Sequence, residues 1–131
     1  MCIRDRHNVL RGLHYQKKYP QGKFVRVIRG EVFDVAVDLR KNSTTFGKYY
    51  SIVLSEANKK QFWIPPGFAH GFCVLSKFAS FEYKCSEYYF PDDEETIIWN
   101  DSFLDINWPI ENPIISKKDA IGKSFAELFE F

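Results

Sequence analysis

Residues 23–39 read KFVRVIRGEVFDVAVDL, and the alternation of side chains along them decides the fold class. In Lys23–Arg29, Lys23, Val25, Val27 and Arg29 fall on one face, and Phe24, Arg26 and Ile28 on the other. Past Gly30, Phe33, Val35, Val37 and Leu39 share a face, and Val32, Asp34, Ala36 and Asp38 the opposite one. A period of two is that of a strand. Two such runs joined at Arg29-Gly30 predict a β-hairpin.

Outward from it the same texture continues. Upstream, Val9–Gln16 (VLRGLHYQ) reads as a strand with Val9, Leu13 and Tyr15 apolar, followed by a Tyr19-Pro20-Gln21-Gly22 turn. Downstream, Tyr49–Leu54 is a strand. Pro65-Pro66-Gly67-Phe68-Ala69-His70-Gly71 reads as a rigid loop carrying His70, because two prolines and two glycines disfavour an interior strand. Phe72–Leu75 and Ser80–Cys85 form a further expected pair, Glu87–Glu95 a loop, and Thr96–Trp99 a short strand. From Ser116 a C-terminal helix is expected to run toward Phe131, with Ser116 as N-cap and Asp119 at the third position of a capping box. About eight short strands with one short C-terminal helix make an all-β chain, a β-sandwich or jelly-roll barrel.

Composition bounds the rest. With 131 residues and 45% hydrophobic content, a single domain is expected. Thirteen Phe, seven Tyr and three Trp favour strands. Eighteen basic side chains nearly cancel seventeen acidic ones, so no global field argues for nucleic acid or an anionic membrane. An anionic ligand would need a local cluster of cations. Cys2, Cys73 and Cys85 are odd in number and lack metal-type spacing, which fits free thiols in a reducing cytoplasm. No apolar run is long enough to span a bilayer, and no signal peptide is visible. Met1–His7 (MCIRDRH) shows no periodicity and is expected to be a tail outside the fold.

The chemistry-bearing residues start with Arg11 and His14, a cation and an imidazole in an otherwise core-forming strand. Strict alternation puts them on opposite faces; Gly12 offers a remedy, since strand glycines mark bulges that re-aim side chains. No metal is expected, because His7, His14 and His70 are far apart and no acid lies three or four residues from His14. Each candidate also has an ordinary reading: His14 as a core histidine, Arg11 as an edge charge, Asp119 as a helix N-terminal acid. Spacing alone reaches a β-barrel with a polar cleft.

The residues themselves go further. VLRGLHYQ, QGKFVRVIRGEVFDVAVDLRKNSTTFG, FWIPPGFAHGF, EYKCSEYY, IIWND and INWP, in this order from about Asn8 to Asp119, resemble the dTDP-4-dehydrorhamnose 3,5-epimerase family. The resemblance implies a cupin-like jelly roll, a homodimer in the full-length form, without metal or other cofactor. The implied substrate is a dTDP-sugar, dTDP-4-dehydro-6-deoxy-glucose, epimerised at C3 and C5 on the way to dTDP-L-rhamnose. It further implies His14 as catalytic base, Asp119 as the acid paired with it, and Tyr83 as proton donor. Lys23, Arg11 and Lys118 become substrate-binding cations, with Lys23 also placed to steady an enolate; His70 and Glu94 become binding residues, and Tyr89 a platform for the thymine. A single-site epimerase, a 3,4-ketoisomerase, and a non-catalytic sugar-nucleotide-binding barrel are the alternatives. The resemblance also implies strands upstream of VLRGLHYQ, so residues 8–131 are expected to be an N-terminally truncated single domain. Exposed sheet edges and low activity are expected with it.

Overall fold

The computed structural model describes residues 1–130. Nine strands are present: β1 (Cys2–Arg6), β2 (Leu10–Gln16), β3 (Lys23–Arg29), β4 (Glu31–Asp38), β5 (Tyr49–Ser55), β6 (Gln61–Ile64), β7 (Phe68–Val74), β8 (Phe78–Cys85) and β9 (Glu94–Thr96). Two short helices follow, α1 (Lys117–Ala120) and α2 (Phe125–Phe129). The strands form a four-stranded sheet, β1-β8-β3-β6, and a five-stranded sheet, β5-β4-β7-β2-β9. All pairings between these strands are antiparallel. This is an all-β, cupin-like jelly roll.

The alternation in residues 23–39 predicts the strands correctly and their partnership wrongly. β3 pairs with β8 and β6, β4 with β5 and β7, so the expected hairpin does not exist. At Gly30 the chain crosses between sheets instead. Gly30 has φ +84°, and a Cβ there would lie 2.2 Å from the Phe78 carbonyl oxygen, so only glycine fits this corner. Val25 and Val27 then meet Val32 and Ala36 face to face across the sandwich, in a cluster completed by Leu54, Ile64, Phe72, Val74, Ala79 and Phe81. The edge-on contact of Phe72 with Phe81, centroids 4.4 Å apart, joins the two layers. The expected pairing of Phe72–Leu75 with Ser80–Cys85 fails likewise, since β7 and β8 lie in different sheets.

A second core covers the other face of the five-stranded sheet. Leu13, Val35, Val37, Leu39 and Ala69 pack there under Ile97, Leu104 and Phe125 from the C-terminal arm. Buried Asp101 pins that arm, accepting hydrogen bonds from the backbone N–H groups of Phe103, Leu104 and Phe125. The large apolar face of β4 is therefore turned away from the sandwich interior. Its smaller face, with Asp34, is turned inward.

Four further expectations are corrected. Cys2–Arg6, expected as a tail, is a strand paired along β8 from Cys2–Glu82 to Arg6–Phe78. His70 is not on a loop: the prolines end at Pro66, and His70 lies mid-strand in β7, between β4 and β2. The strand expected at Thr96–Trp99 is displaced to Glu94–Thr96, which puts Glu94 on β9. The single C-terminal helix is two short ones. Ser116 does cap α1, accepting from the Asp119 N–H, but the reciprocal capping box belongs to Ser124 and Glu127 on α2. The Asp119 carboxylate is engaged elsewhere.

Candidate active site

The site begins with a bulge in β2. Arg11 is opposite Phe72 and His14 opposite His70, so Gly12 and Leu13 together face only Gly71. The extra residue restores parity and brings Arg11 and His14 to the same side. Gly12 has φ +113°, and a Cβ there would lie 2.6 Å from the His70 carbonyl oxygen. The Gly12 N–H donates to Asp119 Oδ2 at 3.1 Å. The other carboxylate oxygen, Oδ1, lies 2.7 Å from His14 Nε2. One buried carboxylate from α1 thus holds both the bulge and the imidazole it aims. Burial works to raise the Asp119 pKa; the hydrogen bond and charge of His14, the Gly12 N–H and Lys118 outweigh it and hold the group below the ordinary value. Asp119 is therefore an acceptor, so in the neutral imidazole the His14 proton sits on Nε2 and Nδ1 carries a lone pair.

From the opposite sheet, Lys23, Val25 and Val27 share the inward face of β3, beside inward Tyr83 and Cys85 of β8. Lys23 has no hydrogen bond or ion pair among the described residues, and burial pulls its pKa down against the pull of Cys85, Glu94 and Asp34. Burial raises the Tyr83 pKa, with help from Cys85, Glu94 and Tyr89. The Tyr83 hydroxyl donates to the Met1 thioether.

These side chains share one cavity of about 310 Å³ between the sheets, lined by Arg11, His14, Lys23, His70, Tyr83, Tyr89, Glu94 and Lys118. Asp119 stands behind His14. The structure therefore brings together every residue singled out from sequence: a histidine on one sheet, a lysine and a tyrosine on the other. Lys118 and Glu94 form an ion pair at the cavity wall, which raises the Lys118 pKa. An adjoining space of about 350 Å³ shares His14, Gln21 and Lys23. Among the described residues no three His, Cys, Asp or Glu side chains are grouped to hold a metal ion.

Two site residues escaped the sequence reading. Asp34, on the inward face of β4, bonds His70 Nε2 through both carboxylate oxygens, at 2.8 and 3.0 Å. An acid alternating with Val32 and Ala36 in an otherwise apolar strand was the available signal. Asp5, in the segment expected to be a tail, receives the Arg11 guanidinium on both oxygens, at 2.7 and 2.8 Å. Such a guanidinium fork suits the paired oxygens of a phosphate as well as those of a carboxylate. Asp5→Asn should therefore tighten binding of inorganic pyrophosphate by about 3- to 10-fold in calorimetry, the scale of a partly exposed ion pair. Unchanged affinity would show that Arg11 does not meet the anion.

Comparison with known proteins places these features in context. The family model described as dTDP-4-dehydrorhamnose 3,5-epimerase matches residues 1–127. The dTDP-4-dehydrorhamnose 3,5-epimerase of Shigella flexneri is 53% identical over 131 residues, spanning 95% of this chain and 72% of that protein. The crystal structure of the enzyme of that name from Elizabethkingia anophelis superposes with a TM-score of 0.95 at 48% identity, covering 97% of this chain and 71% of the other. A dTDP-6-deoxy-D-glucose-3,5-epimerase from Legionella pneumophila, solved with dTDP-4-keto-L-rhamnose, superposes with a TM-score of 0.92 at 53% identity, covering 95% and 66%.

Proposed function

The chain belongs to the dTDP-4-dehydrorhamnose 3,5-epimerase family, and from that premise we propose how its cavity works. The activity is inversion of C3 and C5 of dTDP-4-dehydro-6-deoxy-glucose, giving dTDP-4-dehydro-L-rhamnose. One observation carries the assignment of roles: His14, held by Asp119, and Tyr83 enter the same cavity from opposite sheets, with unpartnered Lys23 in its wall.

Both inverted carbons flank the C4 ketone, so each proton is acidic only as far as the resulting enolate is stabilised. His14 Nδ1 takes the proton, and the imidazolium that forms is stabilised by Asp119. Lys23, a cation with no competing partner, faces the charge developing on the C4 oxygen, where a preorganised charge is worth more than in water. Tyr83 returns a proton from the other face, which inverts the centre. Its raised pKa keeps the phenol protonated at neutral pH. Arg11 and Lys118 supply the local positive charge that the diphosphate requires, and Tyr89, exposed at the cavity wall, offers a face to the thymine. Glu94 and His70 add polar contacts.

Incubation of the substrate in D₂O, followed by NMR, tests this reading. Wild type should wash deuterium into C3 and C5 and give the L-configured product. Tyr83→Phe should still exchange solvent deuterium while product formation falls by about 10²-fold. Exchange at C3 alone would make the chain a single-site epimerase; no exchange would sink the assignment. We further propose that the enzyme works in the cytoplasm as a homodimer. Exposed Phe24, Ile28 and Trp63 on the outer face of the four-stranded sheet support self-association, and light scattering after size exclusion is the check.

A further inference from the structure

The segment Tyr88-Tyr89-Phe90 offers consecutive aromatic rings at the cavity mouth, and the local backbone decides which of them enters. Tyr89 lines the cavity, Tyr88 faces solvent, and Phe90 packs on Tyr19 with ring centroids 4.5 Å apart. The side chain that holds this arrangement comes from β2, two residues past His14. Buried Gln16 donates from Nε2 to the Tyr88 carbonyl at 3.1 Å and accepts the Phe90 N–H on Oε1 at 2.8 Å. Nε2 also donates to the Tyr19 carbonyl, at 2.7 Å. A backbone N–H only donates and a carbonyl only accepts, so the amide has one possible orientation and both its hydrogens are used.

The two peptide groups that Gln16 holds are those on either side of the Tyr89 Cα. Peptide groups are planar, so the angles between a residue and its two flanking planes are its only soft backbone torsions. Bonding both planes to one rigid amide therefore fixes the direction in which the Tyr89 side chain leaves the backbone. Other contacts hold the ends of the loop. Gln21 Nε2 donates to the Glu87 carbonyl and the Gly22 N–H to Ser86 Oγ, both at 2.8 Å. The Asp93 carboxylate accepts the N–H groups of Lys18 and Tyr19. Gln16 holds the centre. A ring set in place before the ligand arrives spares the ordering cost that a loose loop would pay on binding.

We propose that Gln16 is a positioning residue, whose amide, bonded to the peptide groups on both sides of Tyr89, sets that ring as the platform for the nucleobase. The proposal rests on the epimerase reading and deepens its nucleotide half. One strand then serves both ends of the ligand: His14 meets the sugar, and Gln16 aims the ring that meets the base.

Gln16→Met keeps the length and bulk of the side chain and removes its hydrogen bonds, so it is the variant of choice. Calorimetry with dTDP should show binding weakened by about 3- to 10-fold, below the full worth of one base–aromatic stack. Inorganic pyrophosphate, which has no base, should bind within about 2-fold of wild type, and KM should rise with kcat little changed. Tyr89→Leu should weaken dTDP by about 10-fold, and adding Gln16→Met to it should cost less than about 2-fold more. That non-additivity separates aiming the ring from simply holding the fold. Losses that multiply in the double variant, or that fall equally on pyrophosphate, overturn the proposal. Tyr89→Leu binding dTDP as wild type does overturns it as well. Should Gln16→Met not fold, exposed Tyr19→Ala, which removes the ring contact with Phe90 and keeps the Tyr19 carbonyl, should give the same pattern at about 2- to 3-fold. Failure of the epimerase reading looks different: no deuterium exchange by wild type, with the dTDP results as stated.

Discussion

His14→Asn should lower the rate of solvent exchange at C3 and at C5 together by about 10²- to 10⁴-fold, with KM little changed. The size follows from what is removed. An imidazole whose Nε2 is held by Asp119 is the group in the cavity suited to taking a carbon-bound proton, and asparagine has no lone pair of comparable basicity. The variant should fold. Asp119 keeps its hydrogen bond from the Gly12 N–H, so the bulge that aims this part of β2 retains its anchor. Binding should persist because the groups proposed to meet the diphosphate, Arg11 and Lys118, lie on other positions of the wall. The coupled loss at both carbons is the informative part. C3 and C5 sit on either side of the ketone, and a single base serves both only if the ring presents each proton to the same nitrogen. Exchange surviving at one carbon would require a second base and would sink the single-base reading.

How far the sequence alone reaches depends on which physical quantity a residue reports. Alternation is local, so the grouping of Lys23, Val25 and Val27 on one face of β3 was legible, but not that this face points inward. Partnership between strands is non-local, and Arg29-Gly30 looks the same whether the chain turns back beside itself or crosses to the other layer. Which of two faces is the interior is also non-local. On β4 the large apolar face packs under Phe125 and Leu104, contributed by residues about 70 to 90 positions away, and this is why Asp34 lies inward unannounced. The bulge at Gly12 was legible as a possibility, but its anchor, Asp119, is 107 positions away and showed only as a helix-start acid. Prolines misled at His70, since both precede the strand. The convergence of the named site residues came through motif resemblance. Asp5 and Asp34, outside the positions that resemblance named, became visible only in three dimensions.

Lys23→Met should reduce kcat by about 10²- to 10³-fold, again with KM less affected, because the charge acts on the enolate more than on the bound ketone. The pH dependence identifies the mechanism. Burial lowers the Lys23 pKa, so its proton is lost below the ordinary lysine range. Activity that needs the cation must then fall on the alkaline side as pH rises through that lowered value. Tyr83 does not produce this limb, since its own pKa is raised and it remains protonated there. Lys23→Arg, with a guanidinium that stays charged, should shift the limb upward in whatever activity it retains. A limb that stays in place in Lys23→Arg would exclude Lys23 as its source. Stability should move the opposite way from activity. The unfolded chain holds this proton more tightly than the folded one, so folding gains stability as pH rises across the window between the two values. Removing the ammonium should remove that dependence, and Lys23→Met should melt no lower than wild type below the window. A residue whose loss costs catalysis but not stability is one the fold keeps for chemistry, and a Tm lowered by Lys23→Met would show that the ammonium serves the fold instead.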